Sequence, residues 1–503
     1  MPASDRSARS ASPLARLPVY YGWVVVAVAF VTMAIGVNTR TAFSLLYPQI
    51  LDEFGWDRGV TAAVFSVGFL SSILISPFIG LAMDRFGPRI VIPVGVISLA
   101  SGLTLATVAS TPLQLYLTLG VLVVGGAVLL SYNGHSFFLP FWFVRRRGLA
   151  IGIAFSGVGV GSIILFPWVQ RIIESSGWRE ACWTMAILLV VVLLPLNFLL
   201  QRRRPEDLGL RPDGDPDPTQ PGAEQPGPDN IVNRAWAATD WHVFLAMRTR
   251  PFWWLFLAYV TGLYAWYAVQ VHQIKYLVEG GFAPKQAALA LGFVGLSGIA
   301  GQISIGHLSD RIGREWAWSI SAMGFVICYL LLLLLNHYPS SALMYLMAAS
   351  QGLLGYGMAS VYGAMPAELF QSRRYGPIFG MYGVAAGLGA GGGPWVTGLL
   401  HDRFGTYTQA FWLAIAASVV SAICVWFAAP RKVRLVAGQA ARRGRGQLAV
   451  NADWAGTRNS GLGGRLAGSF KDSALATAIL RWQEPADLEA IAGSDMVRAR
   501  VFQ

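Results

Sequence analysis

Arg40 stands in an apolar run directly after Asn38 and Thr39, and that run contains no Asp or Glu. A guanidinium in such a setting keeps its charge and presents a planar fork of donors, which suits a carboxylate held bidentately. His135 follows Tyr132 and Asn133 in a second run, and Gln270, His272, Gln273 and Lys275 cluster in a third. These side chains offer hydrogen bonds and, at His135, a group able to carry a proton near neutral pH. The acids are placed differently: Asp52, Glu53, Asp57, Asp84, Glu174, Glu180, Glu279, Asp310, Glu315, Glu368 and Asp402 fall at the ends of apolar runs or between them. A cation unmatched by a mid-run acid favours an anionic ligand and argues against a buried carboxylate as proton carrier. The sequence holds no His-rich metal cluster, phosphate-binding loop or nucleophile motif, so neither an enzyme nor a metal or cofactor is expected. Cys182, Cys328 and Cys424 lie far apart in apolar runs and lack metal-ligand spacing.

Those runs explain the composition. Of 503 residues 54% are hydrophobic and 13% charged, with a mean hydropathy of +0.51, whereas soluble domains are about 25% charged. A bilayer core takes about 20 apolar residues per helix. The pattern predicts twelve spans, over 20–42, 60–82, 90–109, 113–142, 148–172, 180–200, 252–278, 284–307, 317–337, 341–368, 374–400 and 407–428. The expected fold is an all-α membrane protein with two six-helix bundles, 20–200 and 252–428. Residues 1–19 precede them without the form of a cleaved signal peptide, a Pro-, Asp- and Gly-rich linker over 201–251 joins them, and 429–503 follow. The Gly-, Ala- and Arg-rich tail is expected to be largely disordered, with a weak helix near 472–482, and dispensable beyond about Gly438. Lys and Arg in the short loops place both ends and the linker in the cytoplasm of an inner-membrane protein. The formal charge of +12 then reports topology and anionic membrane lipid rather than nucleic acid.

The two halves repeat each other. Gly80-Leu81-Ala82-Met83-Asp84-Arg85-Phe86-Gly87-Pro88-Arg89 and Gly306-His307-Leu308-Ser309-Asp310-Arg311-Ile312-Gly313-Arg314 share Gly-x-x-x-Asp-Arg-x-Gly at an offset of 226 residues. A similar offset aligns Gly148, Gly152 and Pro167-Trp168-Val169 with Gly376, Gly380 and Pro394-Trp395-Val396. A duplicated six-span unit is the simplest account. In each loop the first glycine lets helices approach, the Asp can meet a neighbouring helix N-terminus, and Arg85, Arg89, Arg311 and Arg314 can pair with acids or lipid phosphate. Identical latches in both halves suit a device that rocks between two states.

Twelve spans, two repeats and this loop resemble the major facilitator superfamily over roughly residues 20–428, and the resemblance implies that family's fold and alternating-access transport. Tyr21-Gly22-Trp23, Trp142-Phe143-Val144-Arg145-Arg146-Arg147-Gly148 and Pro366-Ala367-Glu368-Leu369-Phe370 are similar to the bacterial monocarboxylate and oxalate:formate exchanger branch. Members of that branch carry organic anions, often with a proton or in exchange for another anion. Aligned on Gly22-Trp23, Arg40 falls one position from a substrate-linked lysine of monocarboxylate transporters. Where the branch carries further charges in span 8, this chain offers Ser297 and Gln302, and span 11 has no basic residue from 376 to 400, which argues against a dianion.

The expected function is therefore secondary transport of a small organic anion, a monocarboxylate, by a monomer. Arg40 would meet the carboxylate and Asn133, His135, Gln270 and His272 would add hydrogen bonds, with any coupled proton on His135 or on the substrate. Blander roles stay open: Arg40 snorkelling to the outer interface, His135 as packing, Lys275 as an interfacial charge. The aromatic residues of span 7, among them Trp253, Trp254, Tyr264 and Trp266, would equally suit an efflux transporter of the same fold for amphipathic drugs or metabolites.

Overall fold

In the computed structural model, residues 19–56, 58–216 and 230–443 are described. Twelve membrane spans form two six-helix bundles. Ten are helices long and apolar enough to cross a bilayer by themselves. Spans 1 to 6 are Tyr21–Phe54, Arg58–Phe86, Pro88–Ala106, Pro112–Trp142, Arg147–Ser176 and Trp178–Leu200. Spans 7, 8, 9 and 12 are Arg250–Glu279, Pro284–Ile312, Arg314–Leu335 and Thr408–Ala428. Span 11, Tyr375–Phe404, is a continuous helix diluted in hydropathy by nine glycines. Span 10 covers 341–369 in short pieces. Leu70, Leu74, Phe78 and Leu81 form a stripe along span 2 and each is more than half exposed. In water such a stripe would drive association; in a bilayer it faces lipid.

Span 1 runs further than the expected 42. Phe43, Leu46 and Ile50 continue a buried face, so the helix persists to Phe54 and stops at Gly55, whose φ of 65° is left-handed. Arg40 consequently lies 14 residues, about 21 Å at 1.5 Å per residue, from the end of its helix. Arg40 is therefore not at the end of the continuous helix Tyr21–Phe54.

Spans 4 and 10 are both irregular, each passing from a π-helical stretch into a 3-10 turn. In span 4 a π-helical stretch, Tyr116–Gly125, passes into a 3-10 turn, Gly126–Leu130, then an extended Ser131, before helix resumes at Tyr132. In span 10 the π stretch is Ser350–Leu354 and the 3-10 turn Gly355–Gly357, with helix resuming at Met358. Irregular backbone at membrane depth is tolerated where protein or a cavity, not lipid, surrounds it, and π segments often mark functional sites.

The start of span 1, the end of span 4 and the end of span 6 meet at one side, where the Tyr20 hydroxyl donates to the Trp142 carbonyl at 2.8 Å and the Tyr21 hydroxyl to the Leu200 carbonyl at 2.7 Å. This is also the side of the linker. Within the linker, residues 230–249 are anchored by aromatic rings: Trp236 and Trp241 pack on Phe370 with centroids 6.0 and 5.2 Å apart, and the Trp236 indole donates to the Leu369 carbonyl at 2.7 Å. The first residues after span 12 also dock on this side. Ile231 and Arg434 form an isolated antiparallel bridge, the Leu435 amide donates to the Asn230 carbonyl at 2.8 Å, and Gln439 donates to the Ile312 carbonyl at 2.8 Å. A Cβ on Gly438 would collide with the backbone of Arg311. The boundary near Gly438 therefore cuts through a docked segment; a Gly-, Ala- and Arg-rich composition does not reveal backbone pairing with a distant linker. Residues 1–18 and the expected helix near 472–482 lie outside the described residues.

Truncation separates the two parts of the tail. A chain ending at Arg443 keeps these bonds and is expected to retain the full-length thermal midpoint in detergent. A chain ending at Ala429 loses them and should melt several degrees lower. Equal midpoints would show that the docked segment adds nothing.

Candidate functional site

A cavity of about 90 Å³ lies between the two bundles. The first bundle supplies Arg40 from span 1, Phe69, Ser72 and Ile73 from span 2, and Val128, Ser131, Tyr132 and Asn133 from span 4. The second supplies Leu263, Trp266 and Tyr267 from span 7, Met358, Ala359 and Tyr362 from span 10, and Gly383, Ala386, Gly387 and Ala390 from span 11. Both broken helices contribute the residues at or just after their breaks, which is how Ser131, Tyr132 and Met358 come to face the cavity. Among the described lining residues Arg40 is the one ionised group, and no carboxylate is present. Its guanidinium carbon sits 5.7 Å from the Phe69 ring centroid, a cation–π placement that leaves its N–H donors available to a ligand.

The polar floor is preorganised across the bundle interface. The Tyr362 hydroxyl donates to Asn133 Oδ1 at 2.6 Å, and the Ser76 hydroxyl donates to the Gly380 carbonyl at 3.1 Å. Towards the linker side aromatic pairs continue the seal, Phe137 with Phe379 at 5.0 Å and Phe141 with Tyr375 at 5.3 Å.

Of the five residues expected to bind substrate, the structure brings Arg40 and Asn133 together and leaves three outside the lining. His135 is fully buried with Nδ1 3.1 Å from the Ser131 carbonyl. It braces the break in span 4, since that carbonyl also takes the His135 amide. His272 places Nε2 3.0 Å from the Pro394 carbonyl and its ring against Tyr407. Gln270 is exposed, and Gln273 is buried, donating to the Met347 sulfur at 3.0 Å. Helical spacing alone put Trp266, Gln270 and Gln273 on one face; only Trp266 reaches the cavity, where Tyr356 stacks on it at 4.5 Å. Phe69 was not legible as a lining residue; Tyr267, one of the span 7 aromatics, and Tyr362 in span 10 were weaker candidates among many similar rings, although glycines at the breaks of spans 4 and 10 point to the neighbourhood of Tyr132 and Tyr362.

The repeated loops form two matching junctions on the linker side. Asp84, at the end of span 2, accepts the Gly376 amide at the start of span 11 at 2.8 Å. Asp310, at the end of span 8, accepts the Gly148 and Leu149 amides at the start of span 5 at 2.9 and 3.0 Å. Each carboxylate thus meets the positive end of a helix from the other bundle. Gly80 packs on Gly376 and Gly306 on Gly148 so closely that a Cβ on any of the four would overlap the partner backbone. Gly87 and Gly313 make the turns that follow, with φ of 74° and 112°.

The four cations of these loops take different roles. Arg85 and Arg311 are exposed, and Arg89 instead ties span 3 to span 6 by donating to the Phe198 carbonyl at 2.7 Å. Arg314, only 1% exposed, pairs with Asp310 at 2.8 Å and with Glu368 at 2.8 Å. Arg147 reaches Glu368 at 3.6 Å from the other bundle. At the offset of 226 the first half carries Pro88 where the second has Arg314, and the missing cation comes from the linker: Arg203 pairs with Asp84, while Arg204 donates to the Ser372 carbonyl at 3.0 Å. Burial, followed by the neighbouring Arg203 charge, pushes the Arg204 pKa below its ordinary value.

A cavity between two six-helix halves, sealed at one end by paired junctions, is the build of a membrane carrier. The sequence profile of the Major Facilitator Superfamily matches residues 24–361 and again 281–483, and the chain belongs to that family. Monocarboxylate transporter 12 of Rattus norvegicus is 27% identical over 429 residues, covering 81% of this chain and 85% of that protein. The Homo sapiens protein of the same name is 26% identical over 426 residues, covering 81% and 80%. Among solved structures, the E.coli fucose:proton symporter FucP has a TM-score of 0.60 at 16% identity, over 82% of this chain and 100% of that one. The proton:xylose symporter XylE has 0.60 at 13%, over 81% and 95%. At that identity the solved structures establish the fold. The chain is a multi-pass membrane transporter and not an enzyme.

Proposed function

We propose that this transporter carries a small monocarboxylate by alternating access, with Arg40 as the group that takes the carboxylate. The observation that carries this reading is the charge inventory of the cavity: among the described lining residues, one cation, no acid, and hydroxyl and amide groups from Ser72, Ser131, Asn133 and Tyr362. Relatives named as monocarboxylate transporters support the same substrate class. One fixed charge balances one carboxylate; a dianion would leave a second charge unmatched in a low-dielectric site. The linker side is read as cytoplasmic from its Arg-rich loops, so the sealed junctions correspond to an outward-facing state of an inner-membrane protein.

Uptake of labelled monocarboxylates into proteoliposomes tests this reading. Arg40→Ala is expected to lower uptake at least about 30-fold, equivalent to roughly 2 kcal/mol for removing one partner of a desolvated charge pair. Uptake unchanged in Arg40→Ala would remove Arg40 from the mechanism. His135→Gln, by contrast, should act mainly through stability.

A further inference from the structure

The shape of the cavity is as specific as its charge. Span 11 lines it with Gly383, Ala386, Gly387 and Ala390, at i, i+3, i+4 and i+7 of one helix face, so that wall carries nothing larger than a methyl group. Five rings make up much of the remaining wall: Phe69, Tyr132, Trp266, Tyr267 and Tyr362. Several are fixed before any ligand arrives. Trp266 lies nearly parallel to Tyr356, at 14° and 4.5 Å. Tyr132 packs edge-on to Phe155 at 4.9 Å, and Tyr362 is held by Asn133 at 2.6 Å. Rings already ordered lose little entropy when a ligand binds, and they reward a flat π-face more than a puckered hydrocarbon of similar area.

We propose that the substrate is an aromatic monocarboxylate, its carboxylate on Arg40 and its ring against the smooth face of span 11. This rests on the monocarboxylate reading above and narrows it. A short acid such as acetate would satisfy Arg40 but leave the ring-lined part of the cavity unfilled. Polar substituents on the ring would find the hydroxyls of Ser72, Ser131, Tyr132 and Tyr267.

The test is a binding titration on the purified full-length chain in detergent, using benzoate, cyclohexanecarboxylate, acetate, pyruvate and benzamide. Benzoate is expected to bind at least about ten-fold more tightly than acetate or pyruvate, and at least about three-fold more tightly than cyclohexanecarboxylate. Ala390→Leu, which roughens the smooth wall, should lower the benzoate-to-acetate ratio; if that variant does not fold, the wild-type ratios stand alone. Acetate or cyclohexanecarboxylate binding as well as benzoate would overturn the aromatic proposal and leave the monocarboxylate reading intact. No binding by any of the acids, or benzamide equal to benzoate, would overturn both.

Discussion

Replacing Glu368 by Ala should lower stability by about 3–5 kcal/mol, the usual consequence of removing one member of a buried charge cluster, and reduce the apparent melting midpoint in detergent by several degrees at a fixed scan rate. Glu368 is 5% exposed and stands between Arg314 and Arg147, themselves 1% and 3% exposed. Arg314 keeps Asp310 and the Ser309 hydroxyl at 2.5 Å, and Arg147 keeps the carbonyls of Pro140 and Phe143 at 2.9 and 3.0 Å. Without Glu368, Arg314 keeps one carboxylate, Asp310, and Arg147 is left in the same dry site with backbone carbonyls. Glu368→Gln removes the charge while preserving the shape and should recover little. A midpoint unchanged in both variants would show that water reaches this cluster and screens it.

Gly148→Val should bias the transporter away from closure on the linker side. The Gly306 carbonyl occupies the place of the new Cβ; because the obstacle is backbone, a rotamer change cannot clear it. Spans 5 and 8 would have to separate, which breaks the Asp310 bonds to the Gly148 and Leu149 amides. Moving a population from mostly closed to mostly open takes up to about 5 kcal/mol, and one valine wedge plus two lost charge-assisted hydrogen bonds is of that order. Distances between spin labels on the linker-side ends of spans 5 and 8 should lengthen, and uptake should fall at least about ten-fold. Gly80→Val should do the same for spans 2 and 11. Unchanged distance distributions would show that the junctions do not hold the closed state.

Much of this was legible in the sequence for physical reasons. Lipid demands long apolar runs, so span number follows from composition. The junction chemistry needs Gly, Asp and a turn glycine at fixed spacing, so Gly80, Asp84, Gly306 and Asp310 stand out. Arg40 is conspicuous because a charge in a span is costly. What escaped depends on long-range geometry. Arg203 serves Asp84 across 119 residues, and a run of arginines in a linker looks like any topological marker. Arg147 and Glu368 lie at the ends of different spans, and their pairing becomes visible only once the bundles meet. His135, Gln270 and His272 were chosen for polarity within apolar runs; the break in span 4 turns His135 away from the cavity, and on the unbroken helix of span 7 the neighbours that each face meets, Pro394 and Tyr407 at His272, are set by the packing of distant spans.

The most direct test of the central claim is a comparison of each acid with its own uncharged amide, by calorimetric titration of the wild-type protein and of Arg40→Ala. Charge-assisted hydrogen bonds to a guanidinium contribute about 1.5–3 kcal/mol, so the wild type should prefer carboxylate over amide by at least about ten-fold. In Arg40→Ala that preference should vanish while the fold, followed by thermal melting, is retained. A preference of the same size in both proteins would place the anion elsewhere and contradict the assignment of this cavity.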